Sequence, residues 1–306
     1  MRRECFMRVR LLISIILSVI LLTACASKGE YQIYDVRIYK DTPAWMLAKA
    51  VNKENTSKIE SLILENPELL NYQDPRYGAT LLYWSVGKDY YESAKKLLDL
   101  GADPNIKTTY LIETALFQAS GYLWHDSSLD QDPKFVKLLL ENGADPNISF
   151  GGYSDKEKNS VTAIGETPLM ASINTGIEKT KALIDGECDI NQKDKYGKTA
   201  ATRSLLNEDY IKYAYLLIVV NKAHVNEPVY SRIKFEQGIK ESYYPVRMLR
   251  NLLFELDSDE YKMKMEIVKE FQRQDQDYWS TEITDEQMKR IKQLYPDTWE
   301  EYINKY

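Results

Sequence analysis

Apolar and polar positions along this chain repeat in a fixed order. A mostly apolar stretch opened by threonine is followed by a Leu-Leu pair and then by a polar run closed by asparagine. The opening is clearest as GETPLMASI (Gly165 to Ile173), with relatives DTPAWMLAKA, GATLLYWSV, IETALFQAS and GKTAATRSL. The closing is KLLDLGADPN (Lys96 to Asn105) and KLLLENGADPN (Lys137 to Asn147). Weaker closings are SLILENPELLN (Ser61 to Asn71), ALIDGECDIN (Ala182 to Asn191) and LIVVNKAHVN (Leu217 to Asn226). The pattern predicts two helices and a turn per unit. Thr167 caps a helix whose first turn accepts Pro168, since that proline lacks only an N–H that would have no partner there. Small residues such as Ala48, Ala119 and Ala171 allow close helix packing. Leu97-Leu98 and Leu138-Leu139 face the next unit. Gly101 and Gly143 supply a left-handed exit from the second helix, and Pro104 and Pro146 prevent its continuation. The Asp and Asn that follow can bond to the turn backbone.

These motifs resemble the ankyrin repeat, with its Thr-Pro-Leu helix start and its Gly-Ala-Asp-x-Asn ending. The resemblance implies an all-α solenoid of about five to six helix-turn-helix units with β-turn fingers. The closing asparagines at 71, 105, 147, 191 and 226 lie 34, 42, 44 and 35 apart, against a period of about 33. Two insertions account for the excess. GYLWHDSSLDQDP (Gly121 to Pro133) falls between the helices of the third unit, and SFGGYSDKEKNSVTAIG (Ser149 to Gly165) in the finger before the fourth. Five units cover residues 40–226. In the fourth turn Glu187 stands where glycine is expected, so a departure from the family geometry is expected there.

Residues 227–306 read as an atypical repeat and a helical C-terminal cap. YPVRMLRNLLFEL and DEYKMKMEIVKEFQRQ suit a sixth pair. TDEQMKRIKQLY opens with a capping-box pattern, Thr284 with Gln287 three residues on. Trp279, Tyr295, Trp299 and Tyr302 are expected to seal the open end of the stack.

The first residues have a different character. Arg2, Arg3, Arg8 and Arg10 precede an apolar run, Leu11 to Leu22, too short to span a bilayer comfortably. A basic head, an apolar core and small residues make an export signal. Leu22-Thr23-Ala24-Cys25 resembles the lipobox of bacterial lipoproteins. That resemblance implies a signal peptide over 1–24, lipidation of Cys25 and a tether over 25–39. Ala26 and Ser27 resemble the outer-membrane default, so the expected location is the outer membrane, facing the periplasm. Met7 is an alternative start that leaves the signal complete.

Charge narrows the partners. The chain carries net charge −6, and losing residues 1–24, with four Arg and one Glu, takes it to −9. Nucleic acid wants a basic face and is excluded; a cationic partner suits better. With Cys5 removed and Cys25 lipidated, Cys188 is alone and no intrachain disulfide forms. It occupies the alanine place of its turn, which favours a buried, inert thiol. Only two histidines exist. His224 takes an aspartate place in a turn, and His125 lies in an insertion. No nucleophile elbow, metalloprotease helix, paired cysteines or phosphate loop occurs. The expectation is a protein without catalytic residues, cofactor or metal.

Surface remains. Ankyrin stacks bind proteins through finger tips and the first-helix face. The candidates at those places are Tyr72, Arg76 and Tyr77, then Tyr110, then Tyr122 and Trp124 from one insertion, Phe150 and Tyr153 from the other, and Tyr196. Tyr, Trp and Arg dominate interface hot spots, although each can instead pack between neighbouring fingers. The combination of anchor and repeats resembles the ankyrin-type lipoproteins that act as immunity proteins against phospholipase toxins of the type VI secretion system. It implies a monomer that covers a toxin's active-site entrance. An envelope scaffold that stabilises a periplasmic enzyme or surface complex is the alternative.

Overall fold

The computed structural model describes residues 31–121, 132–154, 162–173, 175–234 and 239–306, with the side chains of 231–241 left aside. Cys25, Tyr122, Trp124 and His125 lie outside the described residues.

The chain is built from successive helix pairs: α1 (Trp45–Val51) with α2 (Thr56–Glu65), α3 (Leu81–Gly87) with α4 (Tyr91–Asp99), and α5 (Ala115–Ser120) with α6 (Lys134–Glu141). Then come α7 (Pro168–Ser172) with α8 (Ile177–Asp185), and α9 (Ala200–Ser204) with α10 (Ile211–Ala214), which continues as a π-helical segment over Tyr215–Val220. First helices α1, α3, α5, α7 and α9 stack in one row, second helices in another. A first helix has neighbours on most sides, so α3 and α5 are buried along their whole length. A second helix has one covered face. In α6, Phe135, Val136, Leu138 and Leu139 are buried, whereas Lys137 and Glu141 face water.

Four threonines set the register of the first row. Thr80, Thr114, Thr167 and Thr199 hold extended backbone, and each hydroxyl accepts from the N–H three residues on at 3.2 Å. Deeper in each of these helices a buried serine, Ser85, Ser120, Ser172 or Ser204, donates back to a carbonyl of the same helix, and the Ser172 hydroxyl also lies 2.9 Å from that of Thr180 in the second helix. The first unit departs from this pattern. Thr42 donates to the Tyr39 carbonyl at 2.6 Å instead of capping, and the helix starts after Ala44.

The asparagines that close the units reach further than their own turns. Asn71, Asn105, Asn147 and Asn191 each accept, through Oδ1, the backbone N–H of Asp103, Asp145, Asp189 and His224 respectively, at 2.6–3.0 Å. Each bond ties one unit to the next. The aspartates act locally: Asp103, Asp145 and Asp189 accept from the N–H two residues on. The insertions fall elsewhere in the sequence and leave this ladder intact, one between α5 and α6, the other in a finger whose base is closed by Phe150–Glu166 and Gly165–Phe150 backbone bonds.

The turn at Glu187 keeps the left-handed geometry, contrary to the expected departure. Its φ is +58°, beside +91° at Gly101 and +83° at Gly143. Lys222, in the same place one unit on, is at +56°. Stack geometry outweighs side-chain preference at both positions.

Three further features differ from expectation. Part of the expected tether is structure: Ile38 and Tyr39 are in the core, and the Tyr39 hydroxyl donates to the Ala79 carbonyl at 3.0 Å. The finger after the fifth unit is an antiparallel ribbon, β1 (Tyr230–Lys234) and β2 (Ile239–Tyr243), with Tyr230 opposite Tyr243 and their rings stacked at 5.1 Å. The sixth pair is α11 (Pro245–Arg250) with α12 (Asp259–Arg273), followed by α13 (Asp285–Leu294) and α14 (Trp299–Lys305). Here Tyr302 is buried, and its ring stacks on Tyr295 at 4.2 Å, with Trp299 packed alongside. Trp279 is 45% exposed, its ring edge-on to Tyr278 at 5.2 Å; Tyr278 and Tyr306, both fully buried, fill that end. Its neighbour Tyr278 takes the inward direction at that bend.

Candidate partner-binding surface

The fingers are joined backbone to backbone. The N–H groups of Thr109 and Tyr110 donate to the Tyr77 carbonyl, that of Gly151 to Ile112, that of Ser154 to Tyr110, and that of Lys195 to Ile164. Gly78 is required by this approach: at φ +65° a Cβ there would meet Thr109 atoms at 2.5–2.6 Å. In the first finger the buried carboxylate of Asp74 accepts the N–H groups of Arg76, Tyr77 and Ala79. Asp194 does the same in the fourth finger for Tyr196 and Lys198.

Rings follow the same path. Tyr77 meets Tyr110 edge-on at 5.4 Å, Tyr110 meets Tyr153 at 5.6 Å, Tyr153 meets Phe150 at 6.2 Å, and Phe150 stacks on Phe117 at 5.6 Å. The tyrosine candidates therefore separate. Tyr77 is buried, its hydroxyl donating to the Tyr31 carbonyl, and Phe150 is buried against Phe117 and Ala171. Those two side chains build the scaffold and leave little surface for a partner. Tyr72, Tyr110 and Tyr153 are half-buried, and Arg76 is exposed with its guanidinium over the Tyr77 ring at 5.2 Å. Tyr196 is 58% exposed, the most open ring among the described candidates.

Around Tyr196 the stack has a hollow of about 470 Å³. Met170 and Ile173 line it from α7 and its end, Arg203 and Leu206 from α9 and the turn after it. Leu206 is 57% exposed, and Ile164, next to the wall residue Ala163, is 45% exposed. One wall is an ion pair, Arg203 Nη1 to Glu166 Oε1 at 2.6 Å, with Glu166 nearly fully buried. Sequence reading missed Leu206, Ile164 and Arg203. The Glu-Thr step before the helix, in GETPLM and again in IETALF, was the available sign of a buried acid at this face.

That second acid is Glu113. The Tyr83 hydroxyl donates to its Oε1 at 2.6 Å, and burial pushes its carboxyl up to about 7, against the opposing effect of that hydrogen bond. Cys188 is a free thiol that burial raises to about 12, which keeps it protonated and unreactive. His224 is exposed, and its N–H is the one held by Asn191. Among the described residues no group of three or more His, Cys, Asp or Glu side chains could hold a metal, and no helix is long and apolar enough to cross a membrane.

Comparison with known families agrees with this geometry. A model of ankyrin repeats in three copies matches residues 124–228, and a single ankyrin repeat matches residues 77–109. The fold is an ankyrin-repeat solenoid. Repeats of this kind are protein-interaction modules, and the role they give this chain is to bind a protein. The chain is similar to Protein PhlB of Serratia liquefaciens, 32% identical over 133 residues, which is 44% of this chain and 48% of PhlB. It is also 26% identical over 155 residues, half of this chain, to the phosphoribosylformylglycinamidine synthase subunit PurL of Prochlorococcus marinus, a stretch that is 20% of that protein. The matches thus span about half of PhlB and a fifth of PurL.

Proposed function

We propose that this chain is a lipid-anchored immunity protein that neutralises a phospholipase toxin of the type VI secretion system by covering its active-site entrance. The observation that carries the reading is the pair of exposed apolar side chains, Tyr196 and Leu206, at an open hollow on a rigid repeat scaffold, with exposed Ile164 beside its wall residue Ala163. An enzyme that works on lipid keeps apolar surface at its entrance, and such surface is what these side chains can bury. The lipobox Leu22-Thr23-Ala24-Cys25 supports the placement. An anchor there holds the blocker at the membrane the toxin attacks, which raises its effective concentration at that surface. Two acyl chains suffice for a stable tether, each methylene contributing about 0.8 kcal/mol. In this reading the chain contributes occlusion and no chemistry.

The test is co-expression with a phospholipase encoded beside the gene. The expected result is a stable complex on copurification and restored growth of cells that export the phospholipase. Absence of a complex, or lipid hydrolysis by the purified chain alone, contradicts the proposal.

A further inference from the structure

Three glutamates are buried among the described residues: Glu113, Glu166 and Glu270. Two have cations. Glu166 has Arg203, and Glu270 has Lys222 and Arg273, both at 2.8 Å. Among the described residues, Glu113 has a tyrosine hydroxyl and no lysine or arginine. The repeat register explains why. Arg203 stands four residues after the capping Thr199; four residues after Thr167, in the unit that follows Glu113, stands Ala171. That alanine packs on Phe117 and Phe150, so this position of the neighbouring unit brings no charge. Glu113 therefore turns to Tyr83 of the preceding unit. A buried carboxylate lacking a cation is costly, and an incoming cation relieves it.

The surroundings suit one kind of visitor. The finger that carries Tyr153 is bonded to the segment that carries Tyr110 and Glu113: the Ser154 N–H donates to the Tyr110 carbonyl and the Gly151 N–H to that of Ile112. Tyr153 and Tyr110 are half-buried and meet edge to face at 5.6 Å, on the finger segments that flank Glu113. Aromatic faces attract lysine and arginine head groups, as does the acidic chain overall.

We propose that Glu113, with Tyr83, Tyr110 and Tyr153, is a socket for a lysine or arginine side chain of the protein partner, which supplies the cation that Ala171 leaves out. The inference rests on the proposed function only for which protein brings that side chain.

The first test needs no partner. The carbon-13 carboxyl resonance of Glu113 is titrated with pH in the full chain, with blocked tripeptides carrying Arg, Lys or Gln between glycines. The Arg and Lys peptides lower the titration midpoint and the Gln peptide does not; Glu113→Asp keeps the effect and Tyr110→Ala with Tyr153→Ala reduces it. A midpoint that Arg and Lys peptides leave where the Gln peptide does overturns the socket. The second test uses the copurifying phospholipase. Glu113→Gln, nearly isosteric and checked by its amide spectrum, weakens binding at least about tenfold, whereas exposed Glu178→Gln leaves it unchanged. Unchanged binding by Glu113→Gln overturns the socket and leaves the immunity reading standing. Failure of the unaltered chain to bind overturns the immunity reading, and the peptide titration still decides the socket.

Discussion

At the scale of single residues, two side chains hold conformations that their chemistry resists. Glu187 and Lys222 stand in the left-handed region that Gly101 and Gly143 occupy freely. The penalty for a side chain there is about 1 kcal/mol, partly offset because glycine loses more entropy on folding. Glu187→Gly is expected to raise the urea midpoint, by up to about 1 kcal/mol in stability, with an unchanged slope. A lower midpoint would show that the Glu187 side chain contributes something beyond its backbone. Glu113 makes a second prediction, about pH. Its carboxyl titrates near 7 in the folded chain and near 4.5 when free. The unfolded chain therefore loses this proton first. Between those values the folded state holds more protons than the unfolded one, so stability falls as pH rises through the window and levels off above it. The loss is of order 3 kcal/mol, and Glu113→Gln removes that part of the pH dependence. Urea unfolding at acidic and at mildly alkaline pH, for both chains, measures it.

At the scale of elements, the stack is held in register by repeated polar bonds as well as by apolar packing. Asn105 accepts from Asp145 and donates to the Gly143 carbonyl at 2.9 Å. Asn105→Ala removes both bonds between units three and two and is expected to cost roughly 1–2 kcal/mol, read as a lower thermal midpoint; no change would mean that packing alone sets the register. The helix pairs of units two to five were legible because Thr, Leu-Leu and Asn recur at places with one physical job each. What was less legible follows from jobs that a motif does not encode. Thr42 begins a Thr-Pro pair like Thr167, yet its hydroxyl is taken by Tyr39. The β1–β2 ribbon is ten residues of mostly polar sequence, too weakly patterned to stand out from a finger. At the candidate surface, Tyr196 was named from its place at a fingertip, and its ring is exposed. Tyr77 and Phe150 occupy comparable places, but adjacent fingers approach closely enough there to bury them. Leu206 and Glu113 escaped notice because each acquires its meaning from a neighbouring unit.

At the scale of the molecule, one continuous core runs from Ile38 to Tyr278, and a smaller one joins Leu253, Ile291, Tyr302 and Tyr306. A stack of this kind presents its fingers and first helices as one stiff face, so side chains far apart in sequence, such as Ile164 and Leu206, can act on one partner. Binding then depends on surface, and the proposed anchor on a single sulfur. Cys25→Ser is expected to abolish lipid attachment, read as loss of the chain from the membrane fraction. The most direct test of the central claim is a titration of the proposed phospholipase partner's hydrolysis with the chain. The unaltered chain is expected to suppress hydrolysis at one equivalent. A chain carrying Tyr196→Asp and Leu206→Asp, with the same thermal unfolding, is expected to require at least about tenfold more. Equal suppression by the two chains would contradict the account.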